Sequence, residues 1–204
     1  MTERGMIFNG EMVRALLDGR KTQTRRPIKW RQTRATEIAE REDGSKWPWS
    51  EDADNVCDYW HPCPFGAVGD RIWVREAFRV HSRATDVATL VYKASVRNSW
   101  TEQTHRVPVS VCNKPATPEK WTPSLHMPRW ASRILLEITD VRVELLNSIS
   151  KEDSLAEGIT DWHGVGTQVD NFSRLWQSIY GEESWNANPW VWVIKFKRVE
   201  GGAA

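Results

Sequence analysis

Apolar residues first fall at helical spacing at Met12, Val13, Leu16 and Leu17. Positions three and four apart share one face of a helix, so this run predicts an amphipathic helix. Asn9 stands before it as the N-cap, and Gly19 follows it as the residue that tolerates a left-handed turn. Ile7–Phe8 read as a short strand entry. Beyond the helix the period changes to two. TQTRRPI (22–28) reads as extended, with Pro27 suited to an edge or a strand end. RIWVREAFRV (71–80) is a strand with Arg71, Trp73 and Arg75 on one face and Ile72, Val74 and Glu76 on the other. ATLVYKAS (88–95) predicts another. RILLEITDVRVELL (133–146) is long and rich in β-branched residues, one bent strand or two, and PWVWVIKFKRV (189–199) closes the chain.

Two more helices are legible. Ser150-x-x-Asp153 has the form of a capping box with Asp in place of Glu, and Gly158 ends that helix. Asp170–Tyr180 turns Phe172, Leu175, Trp176 and Ile179 inward. Residues 31–66 carry no sustained period and read as an insertion. Residues 97–128 hold five prolines and read as irregular; 201–204 read as a disordered tail. Strands predominate and helices are short. The pattern predicts one α+β domain over residues 1–200, a small β-barrel with short helices capping it and long loop insertions.

Composition narrows the partners. The chain has 28 Lys+Arg against 27 Asp+Glu, so a grip on long nucleic acid through many phosphates is not expected. The basic residues nevertheless cluster, seven of them between Arg20 and Arg34. No apolar run approaches the roughly 20 residues of a membrane helix, and the N-terminus lacks an apolar signal core. The expectation is a cytoplasmic protein with no membrane partner. Three cysteines, Cys57, Cys63 and Cys112, suit reduced thiols; the spacing of Cys57, His61 and Cys63 matches no standard zinc pattern, so neither metal nor cofactor is expected. Thirteen tryptophans exceed what one pocket can use, so most are structural and one or two remain for stacking on bases.

The chemistry concentrates in GRKTQTRR (19–26). A Thr hydroxyl is a weak nucleophile until a base takes its proton, and a Lys whose charge is disfavoured by burial or by Arg neighbours can be that base. The same residues also fit a basic helix end that complements the dipole, followed by a Thr-rich strand. In a strictly extended chain Lys21 and Thr24 point to opposite faces, so they converge only if the segment near Gly19–Thr22 is not yet a strand.

MIFNGEMVRALLDGRKTQTRRPI (6–28), GDRIWVREAF (69–78), EDSLAEGI (152–159) and NPWVWVIKFKRV (188–199) together resemble the ASCH family of the PUA-like superfamily, in the longer form often carried by phages and prophages. GRKTxTxR is the most specific element, and the two insertions lie outside the minimal family pattern. The resemblance implies a PUA-like barrel with a central cleft. It also implies an amidohydrolase that removes the acyl group from N4-acylated cytosine nucleosides of the N4-acetylcytidine type. Lys21 would be the base, Thr24 the nucleophile, and Glu157 the residue that holds and protonates the leaving amine, with Glu152 the lesser choice. Arg25, Arg26, Trp73, Arg75 and Glu76 would contact substrate. Other members of the family bind RNA, and some have been proposed as ribonucleases. An RNA or modified-base binding module is therefore the alternative. A ribonuclease would need an acid–base pair, which the scattered His61, His81, His105, His126 and His163 do not suggest by spacing.

Overall fold

The computed structural model describes residues 1–32, 34–52, 57–95, 104–160 and 166–199. His163, residues 97–103 of the second insertion and the tail 201–204 lie outside the described residues. The elements in chain order are β1 (Glu3–Ile7), α1 (Gly10–Leu17), β2 (Gln23–Pro27), β3 (Glu37–Glu40), β4 (Lys46–Asp52), β5 (Cys57–Trp60), β6 (Arg71–Arg75), β7 (Phe78–Arg83), β8 (Val87–Tyr92), β9 (Thr104–Pro108) and β10 (Leu135–Leu145). Helices α2 (Lys151–Ala156), α3 (Gln168–Tyr180) and α4 (Glu183–Asn186) follow, then β11 (Trp190–Arg198). The fold is α+β, mostly sheet with a few short helices. Among the described residues no helix is long and apolar enough to cross a membrane.

The chain forms two compact units: Met1–Gly19, Asp70–Glu137 and the segment from Arg198; and Arg20–Gly69 with Ile138–Lys197. In the first, Asn9 caps α1 by accepting a hydrogen bond from the Met12 N–H at 2.8 Å. Strand β1 pairs parallel with β6, from Glu3 opposite Arg71 to Ile7 opposite Arg75, and β6 pairs antiparallel with the start of β10. Strands β7, β8 and β9 form an antiparallel sheet whose inner face buries Phe78, Val80, Leu90, Tyr92 and Val107 against Met127 and Cys112.

Three expectations are corrected here. The single strand expected across 71–79 breaks at Glu76–Ala77, and its halves join different sheets. Glu76 is the reason: its buried carboxylate takes a bidentate pair from Arg133 at 2.8 and 3.0 Å. A buried carboxylate needs such partners more than the strand needs continuity. The first strand is Glu3–Ile7 rather than an entry at Ile7–Phe8; its alternation is silent because only Met6 is buried. Within 97–128, expected to be irregular, Thr104–Pro108 adds the third strand beside β8.

In the second unit β11 pairs antiparallel with β2, from Val191 opposite Pro27 to Lys195 opposite Gln23. Strand β10 gives Leu135–Glu137 to the first unit and the rest of its length to this one. Leu146, Ile149, Phe172, Trp176, Val191 and Val193 form the core of this unit. The first insertion is not featureless: β3, β4 and β5 make a small antiparallel sheet, with Trp49 opposite both Glu37 and Trp60. Strands of four to seven residues interrupted by charges carry too few apolar positions to show a period.

Gly5 faces Trp73 across the β1–β6 pair. A Cβ there would sit 2.5 Å from Trp73 Cζ2 and 2.9 Å from Arg75 Cδ. Gly5→Ala is expected to destabilise the protein by about 1–3 kcal/mol through overpacking. A denaturant midpoint unchanged from the wild type would show that the ring moves aside.

Candidate active site

Strand β2 starts at Gln23, and the two residues before it are held by backbone contacts. Lys21 forms an isolated antiparallel bridge with Glu157; the Thr22 N–H donates to Ala156 O at 2.8 Å, and Thr22 O accepts from the Phe196 N–H at 2.9 Å. The end of α2 is thus held to the start of β2 by backbone bonds. Ser150 caps the other end of α2 by accepting from the Asp153 N–H at 3.0 Å, Glu157 is its C-cap, and Gly158 takes the left-handed turn (φ +86°).

That docking fixes which side chains meet. The Lys21 ammonium is fully buried and donates to Glu157 O at 2.8 Å and to Glu157 Oε2 at 2.9 Å. Arg25 donates to the other carboxylate oxygen, Glu157 Oε1, at 3.3 Å. Its second amino group donates to Asp153 Oδ2 at 2.9 Å and Glu144 Oε2 at 3.0 Å. Arg142 extends the array outward, to Glu144, to Asp153 Oδ1 at 3.3 Å and to Asp140 Oδ2 at 3.4 Å. The result is a ladder of alternating charge. Lys21, Glu157 and Arg25 are buried, and Arg142, Glu144 and Asp153 form its partly exposed end.

Electrostatics follow from this packing. Burial is the largest influence on Lys21 and holds its amine below the ordinary lysine value; the charge and hydrogen bond of Glu157 oppose this, while Arg26 and Arg25 reinforce it. Burial raises Asp153, but hydrogen bonds from Arg25 and Gln23 and the charges of Arg25 and Arg142 outweigh it, leaving that carboxyl below its usual range.

Thr24 takes the other side of β2. Gln23 and Arg25 reach Asp153 and Glu157, so alternation along the strand sends Thr24 and Arg26 to the opposite face. Cross-strand pairs share a face, which puts Thr24 with Ile194 and Arg26 with Trp192. Trp47 of the first insertion packs edge-on against Trp192, with ring centroids 5.0 Å apart. The junction at Gly19–Thr22 lies before β2, and Gly19 is left-handed (φ +73°), yet the Lys21 amine meets Glu157, which Arg25 also reaches from the face opposite Thr24. Glu152, the lesser alternative to Glu157, is exposed.

Trp73, Arg75 and Glu76 belong to the first unit, where each has local partners. The Arg75 guanidinium lies 5.4 Å from the Trp73 ring centroid and donates to Ser124 O and Leu125 O. Glu76 is held by Arg133, and burial raises its carboxyl despite that charge. Cys57, Cys63 and Cys112 are free thiols, and no cluster of His, Cys, Asp or Glu suited to a metal occurs among the described residues.

Sequence reading missed Glu144, Arg142 and Gln23, and took Asp153 only as a capping residue. A signal was present: Asp140, Arg142 and Glu144 alternate with Val141, Val143 and Leu145, which marks one charged face. No family model, curated protein or solved structure matches this chain.

Removing one member of a buried ion pair strands the other. Glu157→Gln is expected to cost about 3–5 kcal/mol, and Lys21→Met with Glu157→Leu together less than the sum of the single changes. Additive losses in urea unfolding would mean that the two residues are not coupled. Because the Asp153 carboxyl is lowered in the folded state, its contribution is present above the ordinary aspartate value of 3.8 and is lost as pH falls from there through the lowered value. Asp153→Asn should flatten the acid side of the stability profile; an unchanged slope would remove Asp153 from the ladder's energetics.

Proposed function

We propose that this chain is an amidohydrolase that removes the acyl group from N4-acylated cytosine nucleosides. The observation that carries the reading is the meeting of the Lys21 amine with the Glu157 carboxylate at 2.9 Å, across 136 residues of sequence. It brings together two of the three residues, Lys21, Thr24 and Glu157, that the resemblance assigns to catalysis, and neither composition nor periodicity joins them. The PUA-like barrel implied by the resemblance is part of the same proposal, as is a cytoplasmic, cofactor-free enzyme.

In the proposed reaction a hydroxyl oxygen bonds to the acyl carbon, the C–N4 bond breaks, and the cytosine amine leaves with a proton; water then hydrolyses the acyl ester. Lys21, with its lowered amine, and Glu157 handle the protons. Arg25 is committed to three carboxylates, so its contribution is to position Glu157 rather than to bind substrate. Arg26 shares a face with Thr24 and is the cation suited to an oxyanion or a sugar hydroxyl there. Thr24 as nucleophile has the least support, because its face of β2 is not the one Lys21 occupies.

A second reading, a module that binds RNA or a modified base without catalysis, has its own observation. The Trp73 ring is half-buried beneath the Arg75 guanidinium, which is the form of a stacking platform.

Incubation with N4-acetylcytidine, followed by chromatography for cytidine, separates the two. The wild type is expected to release cytidine with chelator present. Lys21→Arg and Glu157→Gln should lose about 10²–10⁴-fold in turnover, as loss of acid–base catalysis does. Thr24→Ser should retain part of the activity and Thr24→Ala little. Wild-type turnover by Thr24→Ala would reassign the nucleophile. RNA binding without hydrolysis of any N4-acylcytidine would favour the second reading.

A further inference from the structure

The first insertion carries a nucleophile–base pair that the proposed reaction does not use. Ser50 in β4 and His61, just past β5, approach with Ser50 Oγ 2.8 Å from His61 Nε2. The backbone that carries the imidazole is fixed on both sides: the His61 main-chain N–H donates to Pro48 O at 2.9 Å, and its main-chain O accepts from Trp47 Nε1 at 2.7 Å. Its ring meets Tyr59 edge-on at 4.8 Å. Ser50 is fixed in register opposite Tyr59, yet its side chain is only half-buried, so a reagent can reach it. Burial first, and then the Arg34 charge, keep the imidazole pKa below its ordinary value, so the ring is neutral near pH 7 and free to take a proton.

We infer that Ser50 and His61 are a second reactive site, in which His61 activates the Ser50 hydroxyl toward small, activated acyl or sulfonyl donors. The inference stands apart from the N4-acylcytosine reading, since it uses different residues and a different reagent. With Ser50 Oγ as the donor, the Nε2 lone pair accepts, and the one N–H proton of the neutral ring sits on Nδ1. In the reaction the Oγ proton passes to Nε2, Oγ bonds to the acyl carbon, and the carbon–leaving-group bond breaks. The departing oxygen then takes the proton from Nε2, and water hydrolyses the acyl-serine by the same route. Asp58, the nearest carboxylate in sequence, accepts from Trp49 Nε1 at 2.9 Å. Among the described residues the site is a pair rather than a triad, which suits activated esters rather than amides.

Phenylmethylsulfonyl fluoride tests this on the full wild-type chain: Oγ bonds to sulfur and fluoride leaves. Intact mass should rise by a single adduct, and peptide mapping should place it on Ser50 and not on an exposed serine such as Ser82. His61→Gln keeps a hydrogen-bonding side chain but no base, so labelling should slow by about 10²–10⁴-fold, with folding checked by circular dichroism. p-Nitrophenyl acetate should give nitrophenol that is lost in Ser50→Ala. No adduct on wild-type Ser50, or labelling at an equal rate in folded His61→Gln, would overturn the inference. Either result would leave cytidine release from N4-acetylcytidine untouched as a separate observable.

Discussion

The Glu157 carboxylate, held between Lys21 and Arg25, is the interaction on which the second unit depends. Burying a lone carboxylate is prohibitively costly, so its two oxygens must both be answered, one at 2.9 Å by the ammonium and the other at 3.3 Å by the guanidinium. The backbone is arranged to do this: helix α2 is capped at Glu157, the Gly158 turn follows, Lys21 bridges to Glu157, and Gln23 and Arg25 share a face of β2. The backbone bonds from Thr22 to Ala156 and from Phe196 to Thr22 are the same constraint expressed in the main chain.

This ladder also shapes the chemistry. Three cations, Lys21, Arg25 and Arg142, alternate with four carboxylates, Glu157, Asp153, Glu144 and Asp140, so the array has no surplus of positive charge to offer a polyphosphate chain. An amine whose charge is disfavoured, beside a carboxylate that can accept or return a proton, is equipped for proton transfer. What the ladder does not contain is a hydroxyl. Thr24 stands on the far face of β2 with Arg26, Trp192 and the Trp47 that the insertion supplies. The two faces of one strand thus divide the functions that a compact Lys–Thr device would combine.

How much of this was legible depended on whether the signal was local. The caps at Asn9 and Ser150 and the left-handed glycines at 19 and 158 are each set by neighbours a few residues away, and they appear where the pattern puts them. The Lys21–Glu157 pairing rested on family resemblance, since no local rule joins residues 136 apart. The break at Glu76, the sheet within 31–66 and the Ser50–His61 contact were not legible. Each is decided by a tertiary partner: Arg133, the neighbouring short strands, and a cross-strand diagonal. The faces of β2 are the instructive case: alternation sends Thr24 away from Gln23 and Arg25, while the Lys21 amine, carried by the junction before the strand, is drawn to Glu157 by a tertiary partner that no local rule names.

The central claim is that Lys21 is a buried amine governed by desolvation and by Glu157. Nitrogen-15 NMR of the Lys21 ammonium across a pH titration tests it most directly. The account predicts a midpoint below the ordinary lysine value of 10.5, moving lower still in Glu157→Gln, where the attraction that opposes desolvation is lost. A midpoint at or above 10.5, unmoved by Glu157→Gln, would contradict both the burial and the pairing.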